Sequence, residues 1–138
     1  MKHAERLTAN KLKITPRRNE IIEIFEKQKK YLSSEEVWNF LKKKFKKCGL
    51  PGVYRNLESL VECGILFKII CFNDDKKQYG LCSVGNEKHH HHLICIKCKK
   101  ISAFENCSLN DKKKVNGYLI VNHYSQLNGI CPECQKNF

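Results

Sequence analysis

The chain has 138 residues, nine of them cysteine and six histidine, and sets 26 Lys and Arg against 14 Asp and Glu for a formal charge of +12. That length holds one ordinary domain, or two small units whose cores would lean on a metal or a partner subunit, and the basic balance favours a polyanion as partner, nucleic acid before membrane. No stretch is long and apolar enough to span a bilayer, and the opening MKHAERLTANKLKI holds no apolar core of the signal-peptide kind, so a cytoplasmic chain with reduced thiols is expected.

In KITPRRNEIIEIFEKQ, Thr15 can cap a helix that has Pro16 in its first position, with Ile21, Ile22, Ile24 and Phe25 as its apolar face. In SSEEVWNFLKKKF, Ser33 and Glu36 stand in capping-box spacing ahead of the stripe Val37, Phe40, Leu41 and Phe45. Leu50 and Pro51 open a third helix whose stripe is Val53, Leu57, Leu60 and Val61, and Gly64 closes it. Three short helices with tight joints predict a helix-turn-helix unit. The period then changes: ILFKIICF and QYGLC flank the polar NDDKK, which predicts a hairpin and, behind three helices, a winged helix.

On such a unit Tyr54, Arg55 and Asn56 lie away from the apolar stripe of the third helix, where they can meet a DNA groove. Arg17, Arg18, Lys11 and Lys13, with the wing residues Lys68, Lys76 and Lys77, suit contacts to the DNA backbone. The plainer reading of all of them is a solvated surface, and the run KKKFKK at 42–47 fits that reading equally well.

SVGNEK at 83–88 is short and polar, which divides the chain into a DNA-binding unit at 1–82, a hinge at 83–88 and a second unit at 89–138. The second unit reads as a strand LICIKC, a short extended stretch ISAF, a helix around 108–115 ended by Asn116-Gly117, and a strand-like YLIVNHY before GICPEC. The fold class expected is α/β, of the α+β kind.

Cys95-x-x-Cys98 and Cys131-x-x-Cys134 carry the strongest chemical signal. Each pair offers two thiolates from a tight turn, and together they complete the tetrahedral sulfur set of a structural Zn2+ site. A redox dithiol would need only one pair and a nearby helix start. Ahead of Cys95 stand four consecutive histidines. If the strand already runs through them, His90 and His92 point one way and His89 and His91 the other, so two further sites are suggested, with Cys82 at the end of the wing and His123 on the later strand as converging candidates. Cys82 can equally be a small buried hydrophobe.

TPRRNEIIEIF, VYRNLESL, HHHHLICIKC and the terminal GICPEC, in this order over nearly the whole chain, resemble the ferric uptake regulator superfamily of iron, zinc, nickel, manganese and peroxide sensors. The resemblance implies a homodimeric winged-helix transcription regulator, usually a repressor, that binds palindromic double-stranded operator DNA when its regulatory metal is bound. It also implies that Cys82, His90 and His92 form a regulatory metal site, and that His89, His91 and His123 form a further site with an acidic residue. Asn110 stands where that acid is expected, with Glu105 and Asp111 as substitutes.

Several positions depart from the family pattern. Pro51-Gly52 replaces a small residue and threonine before the VYR motif. Tyr31, Gly80 and Ala103 stand where iron and peroxide sensors place a histidine or acidic ligands, and Phe67 stands where zinc sensors place an acid. Cys82 brings the chain nearest to the zinc uptake regulators. Thiolate and imidazole suit Zn2+ better than Fe2+ or Mn2+, with Cys71, Glu87 or water as the fourth ligand. The function expected is therefore zinc-responsive repression; an iron- or peroxide-responsive regulator and a DNA-binding protein that has lost metal control are the alternatives. Catalysis is not expected: nothing singles out one nucleophilic thiol among nine, and no HExxH-like spacing exists.

Overall fold

The computed structural model describes residues 13, 15–69, 77–82, 89–105, 114–121, 123 and 125–137. Helix α1 (Pro16–Gln28) begins as its sequence requires: Thr15 is extended, its side-chain oxygen accepts the Arg18 amide at 3.2 Å, and Pro16 sits in the first turn. It ends where Lys29 turns left-handed at φ 53° and donates its amide to the Phe25 carbonyl. Helix α2 (Ser34–Lys42) has the expected capping box: Ser33 Oγ accepts the Glu36 amide at 3.2 Å, and Glu36 Oε1 accepts the Ser33 amide at 3.0 Å.

Helix α3 (Leu50–Glu62) has no side-chain cap at Gly49. Its far end is stopped by Gly64 at φ 75°, where the Gly64 amide reaches Val61 O at 3.0 Å and the Ile65 amide reaches Leu60 O at 3.1 Å, a Schellman closure that turns the chain into the wing.

The wing is the expected hairpin with one strand more. Strands β2 (Leu66–Lys68) and β3 (Gln78–Leu81) pair antiparallel, and β1 (Leu32–Ser33), not expected from the sequence, pairs on the other side of β3, giving the order β1-β3-β2. Residues 70–76, which include most of the expected NDDKK turn, lie outside the described residues, as does the expected hinge at 83–88. One core joins helices and wing: Ile21, Phe25, Leu32, Val37, Leu41, Val53, Leu57, Leu60, Ile65, Leu66 and Tyr79 are all buried in it. Phe40 and Phe45 pack against its edge, only partly covered.

In the second unit β4 (His91–Cys95) is the middle strand, antiparallel to β5 (Ile101–Phe104) and parallel to β8 (Gln126–Gly129). Short helix α4 (Pro132–Gln135) follows. Two expectations need correction. Of the helix expected around 108–115, residues 106–113 lie outside the described ones, but Lys114–Val115 is strand β6, paired with β7 (Tyr118–Leu119). Asn116 and Gly117 both take positive φ, 49° and 83°, and so make a hairpin turn rather than a helix end. The strand expected through YLIVNHY stops at Leu119, so His123 is held outside any strand.

The second unit rests directly on the first. Lys30 and Lys100 form an antiparallel bridge, and the Tyr31 amide donates to Lys99 O at 3.2 Å. Gly80 lies under this contact: a Cβ built there would come within 2.5 Å of Ile101 Cδ1 and 2.9 Å of the Phe67 ring. Gly80→Ala should therefore lower stability by about 1–3 kcal/mol through overpacking, measured as a lower denaturant midpoint. An unchanged midpoint would mean that Ile101 and Phe67 move aside at no cost.

Candidate metal centres and DNA-facing helix

Cys95 closes β4, Cys98 sits in the following turn, and Cys131 and Cys134 flank the start of α4, brought alongside by the pairing of Cys95 with Gly129. All four sulfurs lie within 4.8 Å of one another. Cys98 Sγ and Cys131 Sγ are 3.8 Å apart, too far for a disulfide, whereas a tetrahedral Zn2+ with Zn–S bonds of about 2.3 Å needs a sulfur–sulfur edge of roughly 3.8 Å. The amides of Cys98 and Cys131 point at Cys95 Sγ and draw that thiol down toward about 6, while the hydrogen bond that the Cys134 thiol donates to Cys131, the largest cause, pushes Cys134 up to about 12. Without a cation the cluster shares its remaining protons; a dication removes the conflict by taking all four sulfurs as thiolates. Lys100 lies 3.5 Å from Glu133 at the rim.

The histidine run alternates as expected, and its two faces hold two clusters. On one face Cys82 Sγ lies 3.3 Å from His90 Nε2, with His92 completing the group, all three donor atoms within 4.8 Å of one another. His92 Nε2 is buried and has no hydrogen-bond partner among the described residues, a costly state for a ring nitrogen unless a cation takes it. Burial, with His90 and His91 alongside, pulls the His92 pKa down to about 4, so the ring is neutral at pH 7 and its lone pair is available. The donors open into a cavity of about 560 Å³ whose wall also includes Gly64, Phe67, Lys68 and Gln126.

On the other face His89, His91 and His123 are equally close to one another. His91 Nδ1 accepts the Ser125 amide at 3.0 Å, which leaves the proton of the neutral ring on Nε2, and Nε2 lies 3.1 Å from His89 Nε2. That is a hydrogen bond between rings, so a cation here must first displace a proton or the Ser125 amide. The sequence offers no signal for this backbone donor. Of the candidate acids for this cluster, Asn110 and Asp111 lie outside the described residues and Glu105 is exposed beyond the end of β5.

Tyr31 is tied by its amide to Lys99, whose ammonium lies 5.4 Å over the Tyr31 ring. Ala103 stands opposite His92 on β5. Phe67 stacks face to face on His92, centroids 3.6 Å apart and planes 1° apart, a contact that sequence reasoning missed. Cys71 and Glu87 lie outside the described residues.

Around α3, Arg55 is exposed, and Arg17, Arg18, Arg55 and Asn56 line one cavity of about 320 Å³ with Gly49 and Gly52 at the helix start. Asn56 is less available than its helix position suggests, because its Oδ1 accepts from Arg18 Nε at 3.2 Å. Arg18 also donates to Lys13 O at 2.8 Å, and Arg17 donates to Lys47 O while lying 5.3 Å over the Phe45 ring. The Tyr54 hydroxyl donates to Glu35 at 3.4 Å. Lys68 does not join the arginine group; it is paired with Glu58 at 2.8 Å on the wing side of α3.

A model of the ferric uptake regulator family matches residues 9–126. The ferric uptake regulation protein of Neisseria gonorrhoeae is 35% identical over 129 residues, covering 90% of this chain and 87% of the relative. Among solved structures, the ferric uptake regulator of Francisella tularensis with iron is 29% identical at TM-score 0.60, covering 90% of this chain and 95% of that one. A zinc uptake regulator complexed with zinc and DNA shares the fold at TM-score 0.72 and 21% identity, with 95% and 89% covered. With helices, wing and both histidine faces falling inside the matched span, the chain belongs to the ferric uptake regulator family.

Proposed function

We propose that this protein is a zinc-responsive repressor that binds palindromic double-stranded operator DNA as a cytoplasmic homodimer. Members of its family are metal-responsive transcription regulators, not enzymes. In this reading residues 1–82 bind DNA, 83–88 are the hinge, and 89–138 dimerise and hold metal. A structural Zn2+ sits on Cys95, Cys98, Cys131 and Cys134, and the regulatory ion on Cys82, His90 and His92. Tyr54, Arg55 and Asn56 face the groove, with Lys13, Arg17, Arg18 and Lys68 toward the DNA backbone. Dimerisation is supported by the exposed apolar side chains of the second unit, among them Leu93, Tyr118, Leu119, Val121 and Leu127.

The observation that carries the regulatory site is His92 Nε2, buried beside Cys82 and His90 without a hydrogen-bond partner among the described residues. No carboxylate joins that trio among the described residues, and a thiolate with two imidazoles follows the preference of Zn2+ over Fe2+ and Mn2+. Cys82 ends the wing and His92 belongs to β4, so an ion between them ties the DNA-binding unit to the dimerisation unit and can bias the spacing of two recognition helices. The His89, His91 and His123 cluster is the weaker metal site, because its rings are already engaged with Ser125 and with one another.

A second reading, iron response, is favoured by the naming of the curated relatives as ferric uptake regulation proteins. Operator binding titrated anaerobically against Zn2+, Fe2+ and Mn2+ separates the two. Zn2+ should tighten binding at least tenfold, and Cys82→Ala and His90→Ala should each abolish that gain while the quartet zinc stays in place. Enhancement by Fe2+ alone at cellular concentrations supports the iron reading, and equal affinity with no second metal supports loss of regulation.

A further inference from the structure

Asn56 follows the exposed Arg55 on α3 and is itself half-buried. A free carboxamide offers DNA both an acceptor and two donor hydrogens, the combination that pairs with N7 and the 6-amino group of adenine. Helix α1 breaks that combination: Arg18 Nε donates to Asn56 Oδ1 at 3.2 Å. Because a guanidinium carries donors and no acceptor, the carboxamide atom that faces it must be the oxygen, and the chemistry of the partner fixes the amide orientation. Arg18 is braced for this contact. Its backbone amide donates to Thr15 Oγ1 at 3.2 Å in the cap of α1, and its Nη1 donates to Lys13 O at 2.8 Å. The Asn56 side chain can still be reached, since it lines two cavities of about 320 and 460 Å³ together with Arg17 and Arg18.

We propose that Arg18 is a positioning residue for Asn56 and makes it a donor-only reader of base edges: with Oδ1 held by α1, Asn56 meets the major groove through its Nδ2 hydrogens and pairs there with an acceptor. Guanine N7 and O6, adenine N7 and thymine O4 are such acceptors, whereas cytosine presents its N4 donor. The position that Asn56 reads therefore excludes cytosine and does not select adenine over guanine, as an unconstrained asparagine would. This inference rests on the reading of α3 as the helix that faces DNA.

The test uses the full, zinc-loaded chain and a palindromic operator that it selects from a pool of random duplexes. Asn56→Ala should relax the base preference at one position of each half-site, and there the parent should bind guanine at least as well as adenine, and cytosine worst. Asn56→Asp keeps an oxygen for Arg18 and turns a second oxygen toward the DNA, so it should bind operator several-fold more weakly than Asn56→Ala at a matched unfolding midpoint. Arg18→Met frees Oδ1. At low salt, where the remaining phosphate contacts compensate for the lost charge, the same position should shift toward adenine by about tenfold, a change of base preference that loss of packing or of a phosphate contact does not produce. A parental preference for adenine over guanine at the position relaxed by Asn56→Ala overturns the proposal, as does an Asn56→Asp protein that binds as tightly as the parent or an Arg18→Met protein with parental base preference. Equal weakening of every duplex by Asn56→Ala overturns it too, by placing Asn56 on the DNA backbone. If Asn56→Ala alone binds operator as the parent does, the proposal falls and the reading of α3 stands; if Arg55→Ala does so as well, that reading falls and takes the proposal with it.

Discussion

Replacing Cys134 by serine should lower zinc content by one ion per chain and abolish the cooperative unfolding of the second unit. The reason is how little else holds that unit together. Among its described residues only His91, Ile94 and Cys95 are buried, whereas the helical unit closes around a core of large side chains with Phe25 and Tyr79 fully covered. The parallel β4–β8 pair leaves Cys95 beside Gly129, two residues short of Cys131, so the quartet pins together the ends of strands that have little apolar surface of their own to bury. Structural zinc contributes roughly 10–16 kcal/mol of apparent binding energy in small metal-dependent folds, more than the 5–15 kcal/mol that typically separates a whole domain from its unfolded state. Helical circular dichroism from α1, α2 and α3 should persist, because no core residue of that unit depends on the quartet. Sedimentation should report loss of the dimer. Full zinc content with dimer mass in Cys134→Ser, or in Cys95→Ser, would remove the structural role assigned to the cluster.

What could be read from the sequence was what depends on neighbours in the chain. The Thr15 cap, the Ser33 and Glu36 box and the Gly64 stop are local hydrogen-bond problems with few solutions, and each was found where the residues required it. The two Cys-x-x-Cys pairs and the alternation of the histidine run follow from turn and strand geometry, whereas the joining of Cys82 to His90 and His92, and of His123 to His89 and His91, came from the family resemblance; the side chains of each group lie together. What stayed hidden depends on segments far apart in sequence. Strand β1 has only two residues and exists because β3 accepts it, and β8 lies parallel to β4 across some thirty residues that carry no pairing signal. Asn116-Gly117 did carry a signal, since that dipeptide is a strong hairpin turn, but the polar residues before it read as a helix and the dipeptide as its end. The Phe67 stack on His92 joins the wing to the second unit, and no local pattern announces it.

Arg55→Ala should weaken operator binding by about tenfold or more, in line with the 1–3 kcal/mol that a single well-placed arginine contributes at a DNA interface. Arg55 is exposed on α3, on the opposite side from the buried Val53, Leu57 and Leu60 that anchor the helix, so its truncation leaves the core intact. Its neighbours serve less well as tests. Arg18 holds Asn56 and the Lys13 carbonyl, so Arg18→Ala would disturb the Asn56 side chain and the approach to α1 as well as any DNA contact. Tyr54 bonds Glu35 across to α2, so its removal mixes recognition with packing. Two measurements divide the roles open to Arg55. If it reads a base edge, the loss should fall on operator DNA and largely spare a scrambled duplex; if it contacts phosphate, both should weaken together and the salt dependence should drop by about one counterion. Both outcomes require zinc content and unfolding midpoint to match the parent. An Arg55→Ala protein that binds operator with parental affinity and salt dependence would mean that α3 does not face the DNA, and the assignment of Tyr54, Arg55 and Asn56 would fall with it.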